Sequence, residues 1–240
     1  MNQTRWDKRT FTRKLREVGG ASYHNRHPFH VKMNEGRLDR RAIQVWAANR
    51  FYYQANIPIK DAAILSNCPL PEVRRLWIHR ITDHDGGAGN DGGIEAWLRL
   101  GVACGLSRKR LITHEQVLPG VRFAVDAYVN FARREPWPIA VASSLTELFA
   151  PDLMAKRLEA FLSHYPWVEK GGLQYFRNRL TQAPRDSGEA LRLTHQYCVT
   201  RQMQEAAVRA LQFKCDLLWA MLDCIEAKCR TGARQKAGAS

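Results

Sequence analysis

The segment EALRLTHQYCVTRQMQEAAVRALQFKCDLLWAMLDCIEAK, residues 189–228, contains neither proline nor glycine. Its apolar positions recur at helical spacing, which predicts one very long helix from about 187 to 229. At about 1.5 Å per residue that helix spans roughly 60 Å. A rod of this kind buries its apolar stripe only against other helices, and the rest of the chain supplies them. Helices are expected near 7–18, stopped by Gly19-Gly20, and from Pro28 to Gly36. A further one is expected over about 40–66, with a kink or break at Pro58, and another from Pro71 to Gly86. More follow near 92–104, 107–113, 119–134, 138–149, 151–164 and 168–182. No run alternates like a strand, and no internal repeat is found. The expected fold is all-α: a compact single-domain bundle of roughly seven main helices over residues 1–230, followed by a disordered basic tail at 231–240.

Composition narrows the class. A hydrophobic content of 45% and seven tryptophans suit a globular core. No apolar run approaches the roughly 18 residues of a membrane span. The opening MNQTRWDKRTFTRKLREV is charged and lacks a secretion signal. A soluble, cytoplasmic protein is therefore expected. The six cysteines form no C-x-x-C pair and read as reduced thiols on apolar helix faces.

The formal net charge of +14 calls for an anionic partner. Basic residues spread along the chain and interleaved with acids argue against nucleic acid, as does the lack of zinc-finger or RNP-like spacing. A helix-turn-helix stays open as the alternative. More telling are polar side chains inside apolar helical sequence. In NRFYYQANIP, Trp46, Arg50 and Gln54 share one helix face. Arg80 and His84 repeat the spacing in LWIHRITDHDG, and Tyr175 and Arg179 repeat it in LQYFRNRL. Glu147 stands in the nearly uncharged IAVASSLTELFA, and Lys214 in ALQFKCDLLWAML. Converging, these groups would form a buried pocket for a compact polyanion.

Several patterns mislead. DHDGGAGNDGG fails as a calcium loop, because Gly87 and Ile94 occupy positions that need oxygen ligands. Neither E-x-x-H nor H-E-x-x-H occurs. In YHNRHPFH, His24, His27 and His30 recur every third residue, but Pro28 prevents one continuous helical ligand face. No metal is expected there; His27 and His30 read as structural or surface residues.

The segments NRFYYQANIPIKDAAILSNCP, RITDHDG, DGGIEAWLRLG, VLPGVRFAVDAYVNFARR, SSLTELFAP and LQFKCDLLWAMLD resemble the pyrroloquinoline-quinone synthase family. The resemblance runs from about Tyr23 to Glu226. It implies a bundle of the heme-oxygenase/TenA type and a homodimer. The implied activity is the final step of pyrroloquinoline quinone (PQQ) biosynthesis, ring closure with an eight-electron oxidation by dioxygen, releasing hydrogen peroxide. It implies no metal and no organic cofactor. By motif, the resemblance carries Tyr23, His24, Arg50, Gln54, Arg80, His84, Tyr128, Glu147, Arg157, Tyr175, Arg179 and Lys214 into the pocket. One position departs: FAPDLMAKRL has Met154 where the family typically has an active-site histidine, and methionine cannot carry protons. The alternatives are a tolerated variation in an active enzyme and a slowed or altered oxidase; the first is favoured.

The expected roles follow from the chemistry. Arg50, Arg80, Arg157, Arg179 and Lys214 would pair the anionic precursor's carboxylates and quinone oxygens. His84, with His24 second, would take a carbon-bound proton. Arg179 would stabilise reduced oxygen species, and Tyr175 and Tyr128 would position them or exclude water.

Overall fold

The computed structural model describes residues 4–237, and the side chains as far as residue 231. The chain forms α1 (Lys8–Ser22), α2 (Pro28–Asn34), α3 (Arg40–Asn67), α4 (Pro71–Trp77), α5 (His79–Asp85) and α6 (Gly92–Ala103). It continues through α7 (Arg108–Ile112), α8 (Pro119–Arg134), α9 (Trp137–Ser143), α10 (Ala150–His164), α11 (Gln174–Tyr197) and α12 (Arg201–Ala237). Short 3-10 segments cover His24–Arg26, Ser144–Phe149 and Lys170–Leu173. Among the described residues there is no strand, only one bridge between Gly87 and Asn90. Among the described residues seven helices run twelve residues or longer, namely α1, α3, α6, α8, α10, α11 and α12. These are the main members of the bundle, and the all-α class holds.

Local chemistry sets many of the helix ends. The Asp7 carboxylate accepts from Thr10 N at 2.7 Å and the Asp39 carboxylate from Ala42 N at 2.7 Å, capping α1 and α3. Pro28, Pro71, Pro119 and Pro151 all fall in first turns, where their missing N–H is not needed. Gly86, at φ 91°, ends α5 in a conformation that only glycine adopts easily.

Three expectations are corrected. Pro58 does not break α3, which is a single 28-residue helix. That helix is packed by α5, α6 and α8, and this tertiary burial outweighs the proline's cost of about 3 kcal/mol. Pro184 likewise lies inside α11, whereas the long helix expected over 187–229 is interrupted after Tyr197. At the interruption the Thr200 hydroxyl accepts from Met203 N at 3.2 Å and its carbonyl from Gln204 N at 3.0 Å, so Thr200 starts α12 afresh. Finally, Gly19 and Gly20 lie within α1 rather than ending it. A Cβ at Gly19 would collide with the Phe149 ring, so this glycine lets α1 close on the segment that carries Glu147.

α3 lies centrally, α10 packs on α11, and α12 packs on α1, α8 and α9. Trp46, Trp77 and Trp97 are fully buried in the core between them. His27 and His30 are also buried, each 1% exposed, which excludes a surface role. The His27 Nδ1 accepts from Phe29 N at 3.0 Å, so its Nε2 carries the hydrogen donated to Asp223 at 3.1 Å. The six cysteines are free, four of them buried. Among the described residues no helix is long and apolar enough to cross a membrane. The expected tail at 231–240 falls largely outside the described residues; the α12 backbone is described as far as Ala237.

Candidate active site

Helices α3, α5, α10, α11 and α12 and the two 3-10 segments 24–26 and 144–149 converge on a buried polar cluster. At its centre is a cavity of about 30 Å³, lined by Tyr23, His24, Arg50, His84, Glu147, Tyr175 and Arg179 together with Tyr53, Thr146, Met154 and Leu218. Seven of the twelve residues singled out from the sequence therefore face one space. The other five, Gln54, Arg80, Tyr128, Arg157 and Lys214, lie behind this layer and are at most 3% exposed. Gln54 is directed at the Tyr175 hydroxyl.

The cations fall into two groups. Arg179 and Arg80 carry their own counter-ions. Arg179 donates to Glu147 at 2.5 Å and to Asp186 at 3.2 Å. Arg80 stands 3.5 Å from Asp186, 3.6 Å from Asp61 and 3.9 Å from Glu147. Asp61 in turn accepts from Lys60 at 2.5 Å and from the Trp77 indole at 2.8 Å, tying α3 to α4. Asp186 also accepts from Arg185 at 2.9 Å.

Arg50, Arg157 and Lys214 have no carboxylate partner among the described residues. They rest on aromatic faces instead. Arg50 lies 3.8 Å from the Tyr53 ring centre, and Arg157 lies 5.1 Å from that of Trp46. Lys214 sits 3.3 Å from the Tyr128 ring and 4.2 Å from Tyr53. The Arg157 Nε and Nη2 and the Lys214 Nζ meet no hydrogen-bond partner among the described residues. Buried, unmatched donors of this kind are costly unless an anion completes them.

This field controls the titrating groups. Burial pushes the His84 imidazole down to about 4, with Arg179 adding to the effect. The His84 Nδ1 donates to the Arg80 carbonyl at 2.9 Å, which leaves Nε2 as the unprotonated atom. Burial, then Arg50 and Arg157, hold His24 well below its usual range. His30, whose ring centre is 4.8 Å from that of His24, is depressed in the same way, by burial and Arg157. Burial, with Arg50 pushing in the same direction, brings Arg157 down to about 9. Tyr23 and Tyr175 are pushed up by burial and stay protonated.

His24, His27 and His30 do not converge on a common point. Among the described residues a grouping of possible metal donors occurs at His79, Asp83 and Asp186. Its carboxylates already accept from Arg185 and Arg179, with Arg80 3.5 Å from Asp186, so cations fill the places a metal would take.

Sequence reasoning missed Tyr53, Lys60, Asp61 and Asp186. Lys60-Asp61 stands in the apolar IPIKDAAIL, the same signal that singled out Glu147 and Lys214. Asp186 lies two turns after Arg179 on one face of α11, a relation hidden by expecting one helix to end near 182 and the next to start near 187.

Comparison with known proteins adds independent observations. A family model described as the TENA/THI-4/PQQC family matches residues 12–224. A pyrroloquinoline-quinone synthase of Pseudomonas aeruginosa (strain LESB58) is 59% identical over 223 residues, covering 93% of this chain and 89% of that protein. One from Cronobacter sakazakii is 60% identical over 204 residues, covering 85% and 81%. Among solved structures, a TenA homolog from Pseudomonas syringae pv. tomato superposes with a TM-score of 0.74 at 11% identity, covering 95% of this chain and all of that one. A domain of unknown function with a heme oxygenase-like fold from Shewanella denitrificans gives 0.73 at 12% identity, covering 93% and 91%. At such low identity these two speak to the fold alone.

Proposed function

The chain belongs to the TENA/THI-4/PQQC family, and on that premise we propose that it is an enzyme, a pyrroloquinoline-quinone synthase acting at the final step of pyrroloquinoline quinone biosynthesis. The observation that carries this reading is the division of the basic side chains around the cavity. A polycarboxylate entering the site meets Arg50, Arg157 and Lys214, which lack carboxylate partners among the described residues. Its carboxylates complete the Arg157 and Lys214 donors that folding leaves unmatched. Arg80 and Arg179, held by Asp61, Glu147 and Asp186, act as a fixed frame facing the quinone oxygens.

In this reading His84 Nε2 takes a carbon-bound proton, with His24 next to it as the second base. The resulting quinol-like anion gives two electrons to one dioxygen, and two protons complete one hydrogen peroxide. Repetition of that step, with ring closure, accounts for the expected eight-electron oxidation, and the Arg179 guanidinium faces the charge as oxygen is reduced. Tyr175, fixed by Gln54, and Tyr128 keep bulk water from the reacting atoms. Dioxygen as co-substrate, a homodimer and a cytoplasmic location belong to the same proposal. A cavity of about 30 Å³ is far below the roughly 300–1,000 Å³ of sites for such ligands, so the lining helices must part to admit the substrate.

The test is turnover in air of the reduced precursor by purified protein. The quinone spectrum should grow with release of hydrogen peroxide, and Arg157→Met should raise KM by at least about tenfold. No conversion by the unaltered protein would remove the reading.

A further inference from the structure

We propose that Lys214 meets the substrate as a neutral amine and takes a proton from solvent as the polycarboxylate binds, so that anion capture and proton uptake are one event at this site. The inference rests on the function proposed above and extends it to the charge state in which the enzyme waits.

Two lysines are buried to nearly the same depth. Lys60 is 2% exposed, and its ammonium has Asp61 at 2.5 Å and the Ser144 hydroxyl at 3.2 Å. Lys214 is 1% exposed, and its Nζ meets no hydrogen-bond acceptor among the described residues. Its neighbours are the faces of Tyr128 and Tyr53, and ring faces offset only part of the hydration an ammonium loses.

The charged and titrating groups around Lys214 come from every side of the bundle. From α3, Arg50 and Lys60 repel an ammonium. Tyr53 of α3 and Tyr128 of α8 supply the flanking rings. From the segment 144–149, Glu147 attracts it, but that carboxylate is engaged by Arg179 at 2.5 Å. On α12 itself, Cys215 stays a neutral thiol, pushed up to about 12 by burial. His24, from the N-terminal 3-10 segment, is itself held neutral by burial, then by Arg50 and Arg157. Burial, then Arg50 and Lys60, accordingly hold Lys214 well below the ordinary lysine range.

An arriving carboxylate reverses the balance, because it supplies the one partner that Lys60 has and Lys214 lacks. The sign follows from linkage. Between the free and the bound pKa of Lys214, affinity for the anion falls about tenfold for each unit of rising pH, one proton being taken up per ligand bound. His24 and His84 feel the same anion and can add to the uptake. Lys214 is distinguished by its share.

The probe is pyrroloquinoline quinone itself, whose carboxylates are already ionised at pH 7.5. Calorimetric titration in two buffers of different ionisation heat gives the number of protons taken up. The full chain should show net uptake, and Lys214→Met, which keeps the length and apolar stem of the side chain, should lower it by about one. A second measurement does not depend on that variant folding. In protein carrying 13Cε-lysine, one resonance should sit at the neutral-amine position at pH 7.5 and move to the ammonium position on adding the quinone. Binding with the same uptake in both proteins, or lysine resonances all at the ammonium position before ligand is added, would overturn the inference and leave the proposed function standing. Absence of binding would remove both.

Discussion

The Arg179 guanidinium donates to the Glu147 carboxylate at 2.5 Å, and this bond joins α11 to the 3-10 segment 144–149 across the buried cavity. Glu147 is 21% exposed, so it stands where the cluster opens toward solvent. Glu147→Gln should leave Arg179 with Asp186 as its remaining carboxylate. We expect a loss of about 1–3 kcal/mol in stability by urea denaturation. Titration should also show tighter binding of pyrroloquinoline quinone, because one internal competitor for the cation is gone. Weaker binding would mean that Glu147 itself contacts the ligand favourably.

Asp186 is the wider anchor, since Arg179, Arg80 and Arg185 all reach it. Burial raises its pKa, but the His79 hydrogen bond and these arginines outweigh burial and hold it well below the usual range. A depressed carboxyl stabilises the fold above its unfolded pKa, near 3.9, and that contribution fades as pH falls toward the folded value. Asp186→Asn should therefore cost about 3–5 kcal/mol at pH 7, with the gap to the unaltered protein narrowing below about pH 4. Denaturation midpoints across pH check this; a gap independent of pH would contradict it.

His84 is held near 4 in the free protein, so its base form persists through the whole neutral range. The acid limb of kcat/KM, which reports the free enzyme, should fall as pH drops through about 4. The limb of kcat should lie higher, because a bound polyanion favours the imidazolium. His84→Asn should lower kcat by about 10²–10⁴. Coincident limbs for the two constants would contradict the electrostatic account.

Met154 lines the cavity at 7% exposure and has no proton to exchange. If His84 and His24 carry the proton traffic, Met154→His should change kcat by less than about tenfold. A gain of 10² or more, the scale of a restored acid–base group, would mark this chain as a slowed oxidase.

Much of this was legible in the sequence, for definable reasons. Arg50, His84, Tyr175 and Arg179 are charged or polar groups at helical spacing beside buried aromatics, and such groups need an inward partner. The bundle followed from apolar periodicity. The errors cluster at Pro58, Pro184 and Thr200. Proline's local cost can be overridden by packing on three sides, as in α3, and packing is not written in a single segment. Thr200 could have been recognised, since it follows the helix-poor Val199 and caps α12 with its own hydroxyl. The unequal pairing of buried lysines, with Lys60 satisfied by Asp61 and Ser144 and Lys214 not, depends on which helices meet, and so it needed the fold.

The most direct test of the whole account is a two-stage mixing experiment with metal-free protein and the reduced precursor. Without oxygen, the account predicts binding without formation of the quinone spectrum. On admitting dioxygen, that spectrum should rise together with hydrogen peroxide. Full conversion before oxygen enters, or none after it, would contradict the account.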